Sequence, residues 1–485
     1  MTTKSYRPVL VLVTAFLVLW TPLEAVAQDS RPTAEEREYA VAWGSHHLCA
    51  GLFVVGRDYQ RDPRTVIGQD IAPFPAFRWE ESFQYDVDWD NRRVTVKAPG
   101  THARTSTYYG DQGCVIHTRD SDEIQFTPVV VASTLPDPAE QLWPTGDLGW
   151  HAPLPAGADA EAFDSTLDWA MIEAGQNTRA LVVVYQGKII AERYAPGFTG
   201  HTPQISWSQG KSITAALVGI LVQQGELELD QPAPVPEWHQ DPADPRREIT
   251  VRDLLHMSSG LDFKNYGVAD SLSYTKENEH FVIYFDAVNI FEHAINQPMD
   301  IPPNTRFRYR NSDPLTLGRI IRQTVEAGGG DYLTFPQRAL FDRIGMRNVV
   351  LETDTYGNFI MTGYDFASAH DWARFGLLHL WDGVWLRERI LPEGWVEFIS
   401  SPTPTDPSRG YGGLFWLNAG GALPDVPRDA FWAAGYMGQN TVIIPSLDMV
   451  VVRLGPSPGD SNRYLNRVIA GIIEALAGGR SNHEG

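Results

Sequence analysis

One stretch of this sequence constrains the chain more than any other. Residues 205–220 read as a loop that runs into an apolar helix, with Ser208 and Lys211 in the opening turn. Side chains three positions apart lie on one face of a helix, so the hydroxyl and the amine can meet. A serine becomes a strong nucleophile when an adjacent base removes its proton, and a partly desolvated lysine can be that base. The stretch therefore predicts a reactive serine at the start of a helix, where unpaired N–H groups favour an oxyanion.

The Ser-x-x-Lys pattern occurs a second time, at residues 273–276, so a chance match is the alternative explanation. The second copy continues into polar residues, whereas Lys211 is followed by apolar residues at helical spacing. A lysine in the first turn of a buried helix needs a partner or a chemical role. The context therefore favours Ser208 and Lys211 over the second copy.

The overall charge excludes two classes of partner. The chain has 485 residues, a formal net charge of −21 and a hydrophobic content of 43%, which is that of an ordinary globular protein. Nucleic acids and anionic membranes both require a basic surface, so we expect neither of them as a partner. The length allows more than one domain.

The N-terminal residues have the pattern of an export signal. Lys4 and Arg7 precede an apolar run at residues 9–20, and the small residues 25–27 provide a cleavage pattern. We therefore predict that residues 1–27 are a signal peptide and that the protein is secreted or periplasmic. The apolar run is short for a bilayer span, so no stable membrane span is expected after cleavage. An uncleaved N-terminal anchor is the alternative.

The sequence contains two cysteines, Cys49 and Cys114, both in the N-terminal region. In an oxidising compartment a disulfide between them is the default expectation. Their spacing matches no metal-ligand pattern, and His201, His256 and the other histidines also lack a paired metal spacing. We predict one disulfide, no metal and no cofactor.

The chain divides into regions of different character. Residues 28–135 combine a helix-like stretch with the alternating apolar residues of a hairpin, which predicts a small α+β domain. Proline and glycine keep residues 136–156 irregular, as in a linker. Residues 157–480 begin with a helix and two strands and end with three strands and a helix, around a mostly helical middle. Short connections predict an α+β fold with one antiparallel five-stranded sheet, flanking helices and a large helical subdomain.

A tyrosine is the second candidate catalytic group. Tyr-x-Asn occurs at residues 309–311, 356–358 and 464–466, and only the first copy lies where a constrained loop enters a helix. Arginines occupy every second position around Tyr309. Their positive charges are expected to lower the pKa of the Tyr309 phenol, so that the phenol can transfer protons. A tyrosine that only packs against the core is the alternative.

The third candidate segment is a glycine-containing strand at residues 431–439. Gly435 would let a substrate approach the backbone closely, because glycine has no side chain. The N–H group of Tyr436 would join that of Ser208 in holding an oxyanion. A tight hairpin that needs its glycines only for the turn is the alternative.

In their order and spacing these segments resemble the serine β-lactamase and penicillin-binding-protein superfamily. The nearer likeness is to class C β-lactamases and to their relatives, the esterases and 6-aminohexanoate-dimer hydrolases. Ser208-Gln209-Gly210-Lys211 matches the family's Ser-x-x-Lys motif, and Tyr309-Arg310-Asn311 matches its Tyr-x-Asn motif. The likeness covers roughly residues 157–480. It implies a β-lactamase-like fold and an acyl-enzyme on Ser208, with Lys211 or Tyr309 as the base and Asn311 orienting the substrate or the lysine.

One departure from the family bears on the substrate. Where the family has Lys-Thr-Gly, this sequence has Ala433-Ala434-Gly435, so the cation that normally holds a substrate carboxylate is missing. The resemblance therefore implies a serine hydrolase of small-molecule linear amides or esters. Two alternatives stay open: a β-lactamase or D-alanyl-D-alanine carboxypeptidase, and a penicillin-binding sensor that is acylated without turnover.

Overall fold

The structure is a computed structural model that describes residues 34–57, 61–73, 79, 81–264, 279–457 and 461–478. The predicted signal peptide at residues 1–27 and the second Ser-x-x-Lys copy at residues 273–276 lie outside the described residues. Within the described ranges, every helix is too short or too polar to cross a bilayer.

The described residues form twelve α-helices and fifteen strands. The helices are α1 (Ala34–Phe53), α2 (Pro63–Val66), α3 (Ala160–Ile172), α4 (Gly210–Gln223), α5 (Val251–Leu255), α6 (Glu279–Phe285), α7 (Ile290–Ile295), α8 (Ser312–Ala327), α9 (Asp342–Ile344), α10 (Ala369–Leu380), α11 (Trp395–Ser400) and α12 (Ser461–Leu476). The strands are β1 (Gln84–Asp88), β2 (Arg93–Lys97), β3 (Arg104–Tyr108), β4 (Cys114–Ile116), β5 (Ala180–Tyr185), β6 (Lys188–Tyr194), β7 (Gln204–Ile205), β8 (Val350–Leu351), β9 (Asp365–Ala367), β10 (Val384–Trp385), β11 (Glu388–Arg389), β12 (Trp416–Leu417), β13 (Phe431–Gly435), β14 (Gln439–Ile444) and β15 (Met449–Leu454).

The N-terminal part consists of helix α1 packed on an antiparallel sheet with the strand order β1-β2-β3-β4. The expected hairpin is present, and Val87 of β1 lies opposite Val94 of β2. Val94 and Val96 are fully buried on the face that meets α1. Helix α1 is apolar on most of its surface, because the sheet covers one side and α6 lies against another.

A disulfide joins Cys49 of α1 to Cys114 of β4, with their Cα atoms 6.1 Å apart. Both residues are buried. The predicted pairing is confirmed, and it ties the helix to the last strand of the N-terminal sheet.

The main sheet has six antiparallel strands in the order β12-β13-β14-β15-β5-β6. Five of them are the strands expected from the sequence, so the prediction of a five-stranded sheet was wrong by one strand. The additional strand is β12, where Trp416 pairs with Trp432 of β13. A strand of two residues is too short to show an alternating pattern, which is why the sequence did not reveal it.

Apolar layers cover both faces of the main sheet. Leu181 and Val183 of β5 pack with helices α3 and α12, whereas Val182 and Val184 face the opposite layer, which contains α4 and α10. A strand that is buried on both faces is apolar at every position, and β5 has this composition. The sheet therefore provides a rigid surface on which α4 packs, and α4 is the helix that begins beside Ser208.

Two further contacts position the site. Helix α8 packs against α4 and α5, which brings its N-terminus towards the start of α4. Strand β7 pairs with β9, so the segment before β9 lies next to the turn between β7 and α4. The start of α4 is therefore surrounded by segments that are distant in the sequence.

The N-terminal part shares its buried surface with the rest of the chain. Tyr39 and Trp43 of α1 contact Phe285 of α6, with ring centroids 5.7 Å and 6.3 Å apart. These residues belong to one continuous apolar core that extends into α4 and α8. The domain boundaries at residues 28–135, 136–156 and 157–480 stay predictions.

We expect the double substitution Cys49→Ala and Cys114→Ala to lower the free energy of unfolding by about 2–5 kcal/mol, because the crosslink restricts the unfolded chain. Denaturant unfolding followed by circular dichroism measures the change. The wild type in reducing buffer should show the same loss, and the double variant should be insensitive to reductant. Equal stability of variant and wild type would contradict the prediction.

Candidate active site

Ser208 lies in a tight turn between β7 and α4. Trp207, directly before it, has a φ of +54°, in the left-handed region that a residue with a side chain adopts at a cost of about 1–2 kcal/mol. Ser206, Trp207 and Gln209 are buried, whereas Ser208 is only half-buried and lines a pocket. The strained turn therefore presents one hydroxyl to a substrate and keeps its neighbours in the core.

The predicted contact between serine and lysine is present. The Lys211 Nζ atom lies 2.9 Å from Ser208 Oγ and donates a second hydrogen bond to the carbonyl oxygen of Thr362 at 3.0 Å. Lys211 is 1% exposed, so its amine reaches the pocket only beneath the serine. Geometry alone would let this amine accept the proton of the Ser208 hydroxyl.

Burial lowers the pKa of Lys211 to about 7, and the nearby carboxyl group of Asp365 partly opposes this shift. Asp365 lies on β9 and is 1% exposed, and burial raises its own pKa well above the ordinary range. A substantial fraction of the amine is therefore neutral near neutral pH. Sequence reasoning missed Asp365; the available signal was an acidic residue within the apolar run from 359 to 367.

Tyr309 comes from the segment that leads into α8 and completes a cluster with Ser208 and Lys211. Its phenol interacts with the Ser208 hydroxyl, and the Lys211 Nζ atom lies 5.1 Å from the centre of its ring. The rings of Tyr411 and Trp416 hold it from the other side, at 5.8 Å and 5.3 Å between centroids. The three predicted catalytic side chains are thus brought together.

The expected effect of the arginines on Tyr309 was wrong. Burial raises the pKa of Tyr309, and the interaction with Ser208 only moderates that rise. The neighbouring guanidinium groups are engaged elsewhere: Arg308 pairs with Asp300, and Arg310 donates to backbone carbonyl groups including that of Leu261. The phenol therefore stays protonated at neutral pH, which suits it to donating a proton.

The other two Tyr-x-Asn copies lie in different surroundings. Tyr356 is 37% exposed in a turn. Tyr464 is buried in α12, where its hydroxyl donates to the carbonyl oxygen of Ala170 at 2.7 Å. The context that separated the three copies in the sequence also separates them in the structure.

Asn311 is fully buried behind the pocket. Its Nδ2 atom lies 2.8 Å from Nδ1 of His280 and 3.4 Å from the hydroxyl of Tyr284. His280 and Tyr284 both line the pocket. The amide group therefore acts on the site through these two side chains.

The end of strand β13 passes directly beside the turn that carries Ser208. A Cβ atom on Gly435 would lie 2.0 Å from the carbonyl oxygen of Ser206, so only glycine fits. The space that the sequence analysis reserved for a substrate is thus partly taken by the chain itself. Tyr436 follows at the rim, 42% exposed, with its ring edge-on to Trp207 at 5.8 Å. Ser208 and Tyr436 line the same pocket.

Side chains of β14 and β15 hold the turn after β13 in place. Arg453 of β15 is buried and donates to the carbonyl oxygen of Gly438 at 3.0 Å. The side chain of Gln439 donates to the carbonyl oxygen of Gly455 at 2.9 Å and accepts from the N–H of Gly455 at 2.8 Å. These bonds fix the position of Tyr436 relative to the serine turn.

One group of side chains outside the pocket has the donor types of a metal site. Ligand atoms of Asp147, His201 and His370 lie within 4.8 Å of one another, a proximity that their sequence positions do not reveal. Arg374 donates to the Asp147 carboxylate at 2.7 Å, and Glu192 lies 2.8 Å from Nε2 of His370. The charges of the cluster are therefore already matched by protein partners.

The segment that contains all three catalytic candidates matches a known family. Residues 163–472 match the family model described as Beta-lactamase, which covers more than half of the chain. The chain belongs to this family. The match confirms the resemblance to the serine β-lactamase and penicillin-binding-protein superfamily, and it leaves the N-terminal helix and sheet outside the matched segment.

Several known proteins are similar to this chain. A 6-aminohexanoate-dimer hydrolase of Paenarthrobacter ureafaciens is 24% identical over 315 residues, which span 61% of this chain and 77% of the relative. A proposed 6-aminohexanoate-dimer hydrolase of Bacillus anthracis aligns with a TM-score of 0.54 and 20% identity, over 72% of this chain and 90% of the other. A penicillin-binding-protein homologue of Caulobacter crescentus aligns with a TM-score of 0.51 and 14% identity, over 67% of this chain and 99% of the other. At these identities the two structures show the shared fold alone.

The pKa of Lys211 predicts a pH dependence. Below about 7 the amine carries a proton and cannot accept another, so we expect kcat/KM for a neutral ester to rise with pH through this value. The pKa of His280, which burial lowers to about 3, lies outside this window. A profile that stays flat through the neutral range would contradict the prediction. A Lys211→Arg variant, whose guanidinium stays protonated, should be inactive at every pH tested.

Proposed function

We propose that this protein is a serine hydrolase that cleaves an amide or ester bond through an acyl-enzyme on Ser208. The observation that carries the proposal is the 2.9 Å contact between Ser208 Oγ and the amine of Lys211, a buried lysine whose pKa lies near 7. A hydrolase family and a similar 6-aminohexanoate-dimer hydrolase support the reaction class.

In the first step Lys211 accepts the hydroxyl proton of Ser208 while Oγ forms a bond to the substrate carbonyl carbon. The carbonyl oxygen gains the negative charge, and the N–H groups of Ser208 and Tyr436 hold it. Gly435 makes this arrangement possible, because it lets the end of β13 lie against the serine turn.

In the second step the bond to the leaving group breaks. The protonated phenol of Tyr309 donates its proton to the departing nitrogen or oxygen, and the Lys211 ammonium returns a proton to the phenol. A water molecule then attacks the acyl-enzyme and gives a proton to the neutral Lys211. The ammonium passes this proton to Ser208 Oγ as the bond from Oγ to the acyl carbon breaks, which releases the acid. The raised pKa of Tyr309 and the lowered pKa of Lys211 support this division into acid and base.

The surroundings of Ala433 favour linear substrates over β-lactams. Ala433 is 1% exposed and pairs with Thr441 of β14, so this position provides no cation for a substrate carboxylate.

We further propose export to an oxidising compartment. The disulfide between Cys49 and Cys114 supports this localisation, because such crosslinks persist outside the cytosol.

A Ser208→Ala variant should lose both ester hydrolysis and covalent labelling by a fluorophosphonate probe, because no other hydroxyl contacts the Lys211 amine among the described residues. Mass spectrometry of the labelled protein measures the adduct. The control is Ser273→Ala, in the second Ser-x-x-Lys copy, which should label and turn over like the wild type. Adduct on Ser208→Ala would refute the assignment. Hydrolysis of a p-nitrophenyl ester that stops after one equivalent of leaving group would instead indicate a sensor, and steady cleavage of nitrocefin would indicate a β-lactamase.

A Tyr309→Phe variant should lower kcat by about 10²–10⁴-fold, because a general acid contributes this much. The matched control is Tyr356→Phe, in the Tyr-x-Asn copy on the surface, which should keep wild-type kinetics. Stopped-flow measurement of leaving-group release separates acylation from deacylation. If both variants behave alike, Tyr309 has no role in proton transfer.

A further inference from the structure

We propose that the pocket above Ser208 selects substrates with an uncharged, apolar acyl chain, and that Trp43 of the N-terminal helix forms part of the wall that recognises this chain. The inference rests on the proposed acyl-enzyme function and adds the substrate class. It separates this protein from a hydrolase of 6-aminohexanoate dimers, because such a dimer carries an ammonium group and a carboxylate.

The described residues that line the pocket offer no formal charge to a substrate. It encloses about 700 Å³, and none of the described residues that line it is aspartate, glutamate, lysine or arginine. His280, which does line it, is neutral near pH 7 because burial lowers its pKa to about 3. A substrate carboxylate or ammonium would therefore lose its hydration without gaining an ionic partner, at a large cost.

Aromatic rings form much of the wall. Besides Tyr309, the lining includes Trp43, Trp207, Tyr284, Phe285 and Trp416. Such rings bury large areas of apolar surface and pack against alkyl chains and other rings. The volume is that of a site for a molecule much larger than an acetyl ester, since pockets of 300–1,000 Å³ hold drug-sized ligands. The wall is therefore built for a long aliphatic or an aromatic group.

Trp43 reaches the pocket from α1, which lies outside the segment that matches the family. Its ring stacks on Trp207, the residue before Ser208, with centroids 5.5 Å apart and an angle of 11° between the planes. It also contacts Phe285 of α6 edge-on at 6.3 Å. The N-terminal helix thus contributes a side chain to the pocket that Ser208 lines.

Helix α1 is fixed in this position by a buried pair. His46 Nε2 lies 2.5 Å from Glu352, and both side chains are fully buried. The second carboxyl oxygen of Glu352 accepts from the N–H of Cys114 at 2.7 Å. Tyr364, which lines the pocket, stacks on His46 at 3.8 Å. These contacts hold the turn of α1 that follows Trp43 against the rest of the chain.

The first experiment compares p-nitrophenyl esters whose six-carbon acyl chains end in a methyl, an ammonium or a carboxylate group. These are p-nitrophenyl hexanoate, 6-aminohexanoate and hydrogen adipate, which share six acyl carbons and the leaving group and differ in the terminal group. We expect kcat/KM for hexanoate to exceed that for both charged esters by about 100-fold, from the cost of burying an unpaired charge. Values within threefold of one another would overturn the inference.

The second experiment tests the wall. Trp43→Ala should lower the ratio of kcat/KM for p-nitrophenyl hexanoate to that for p-nitrophenyl acetate by about 10-fold, because the long chain loses a packing surface. Trp43→Phe should restore most of the ratio. The control is Trp89→Ala, since Trp89 is a half-exposed tryptophan of the N-terminal sheet region outside the pocket and should leave the ratio unchanged. An unchanged ratio in a folded Trp43→Ala protein would overturn the role of Trp43.

The two proposals fail in different ways. If the wild type neither hydrolyses p-nitrophenyl acetate nor labels on Ser208, the proposed function is wrong. If it does both, and still accepts the charged esters as well as hexanoate, the hydrolase stands and the inferred substrate class is wrong. Fluorophosphonate labelling and the thermal unfolding midpoint show whether each Trp43 variant retains a folded site.

Discussion

The Lys211 amine lies in an apolar interior, and the cost of charging it there is the constraint on which the site depends. Water would keep this amine protonated and useless as a base, whereas burial brings its pKa to about 7. The carbonyl oxygen of Thr362 gives the neutral amine a hydrogen-bond partner, and Ser208 is the second. The pairing of β7 with β9 supplies that carbonyl, and the packing of α8 on α4 supplies Tyr309. Distant segments of the fold thus supply the groups that surround the desolvated Lys211 amine.

The desolvation of the Lys211 amine also links catalysis to substrate choice. Burial keeps a substantial fraction of the amine neutral, and a charged ligand placed beside it would disturb this balance. Acid and base then divide naturally between two side chains: burial lowers the pKa of Lys211 and raises that of Tyr309. An uncharged acyl chain leaves both shifts in place, so the inferred substrate class and the proposed mechanism support each other.

Patterns among neighbouring residues of the sequence predicted the structural features that depend on neighbouring residues. The spacing of Ser208 and Lys211 sufficed for their contact, because one helical turn fixes it, and short apolar runs separated by turns located five strands of the main sheet. Features that depend on distant segments escaped prediction. Asp365 meets Lys211 only after β9 pairs with β7. Burial raises the pKa of Tyr309, and Arg308 and Arg310 are engaged by other partners, which the sequence order conceals. The aromatic wall was invisible for the same reason, since Trp43 belongs to another part of the chain.

The position of Trp43 has a consequence for how such enzymes diversify. The serine, the lysine and the phenol lie in the matched family segment, whereas Trp43 in the wall of the pocket comes from the N-terminal helix outside that segment. Mutations in that helix can therefore alter which molecules are accepted without touching the groups that break the bond. Part of the recognition surface thus lies on a different stretch of the polypeptide from the reactive groups, so that part can change over generations with little penalty to the chemistry.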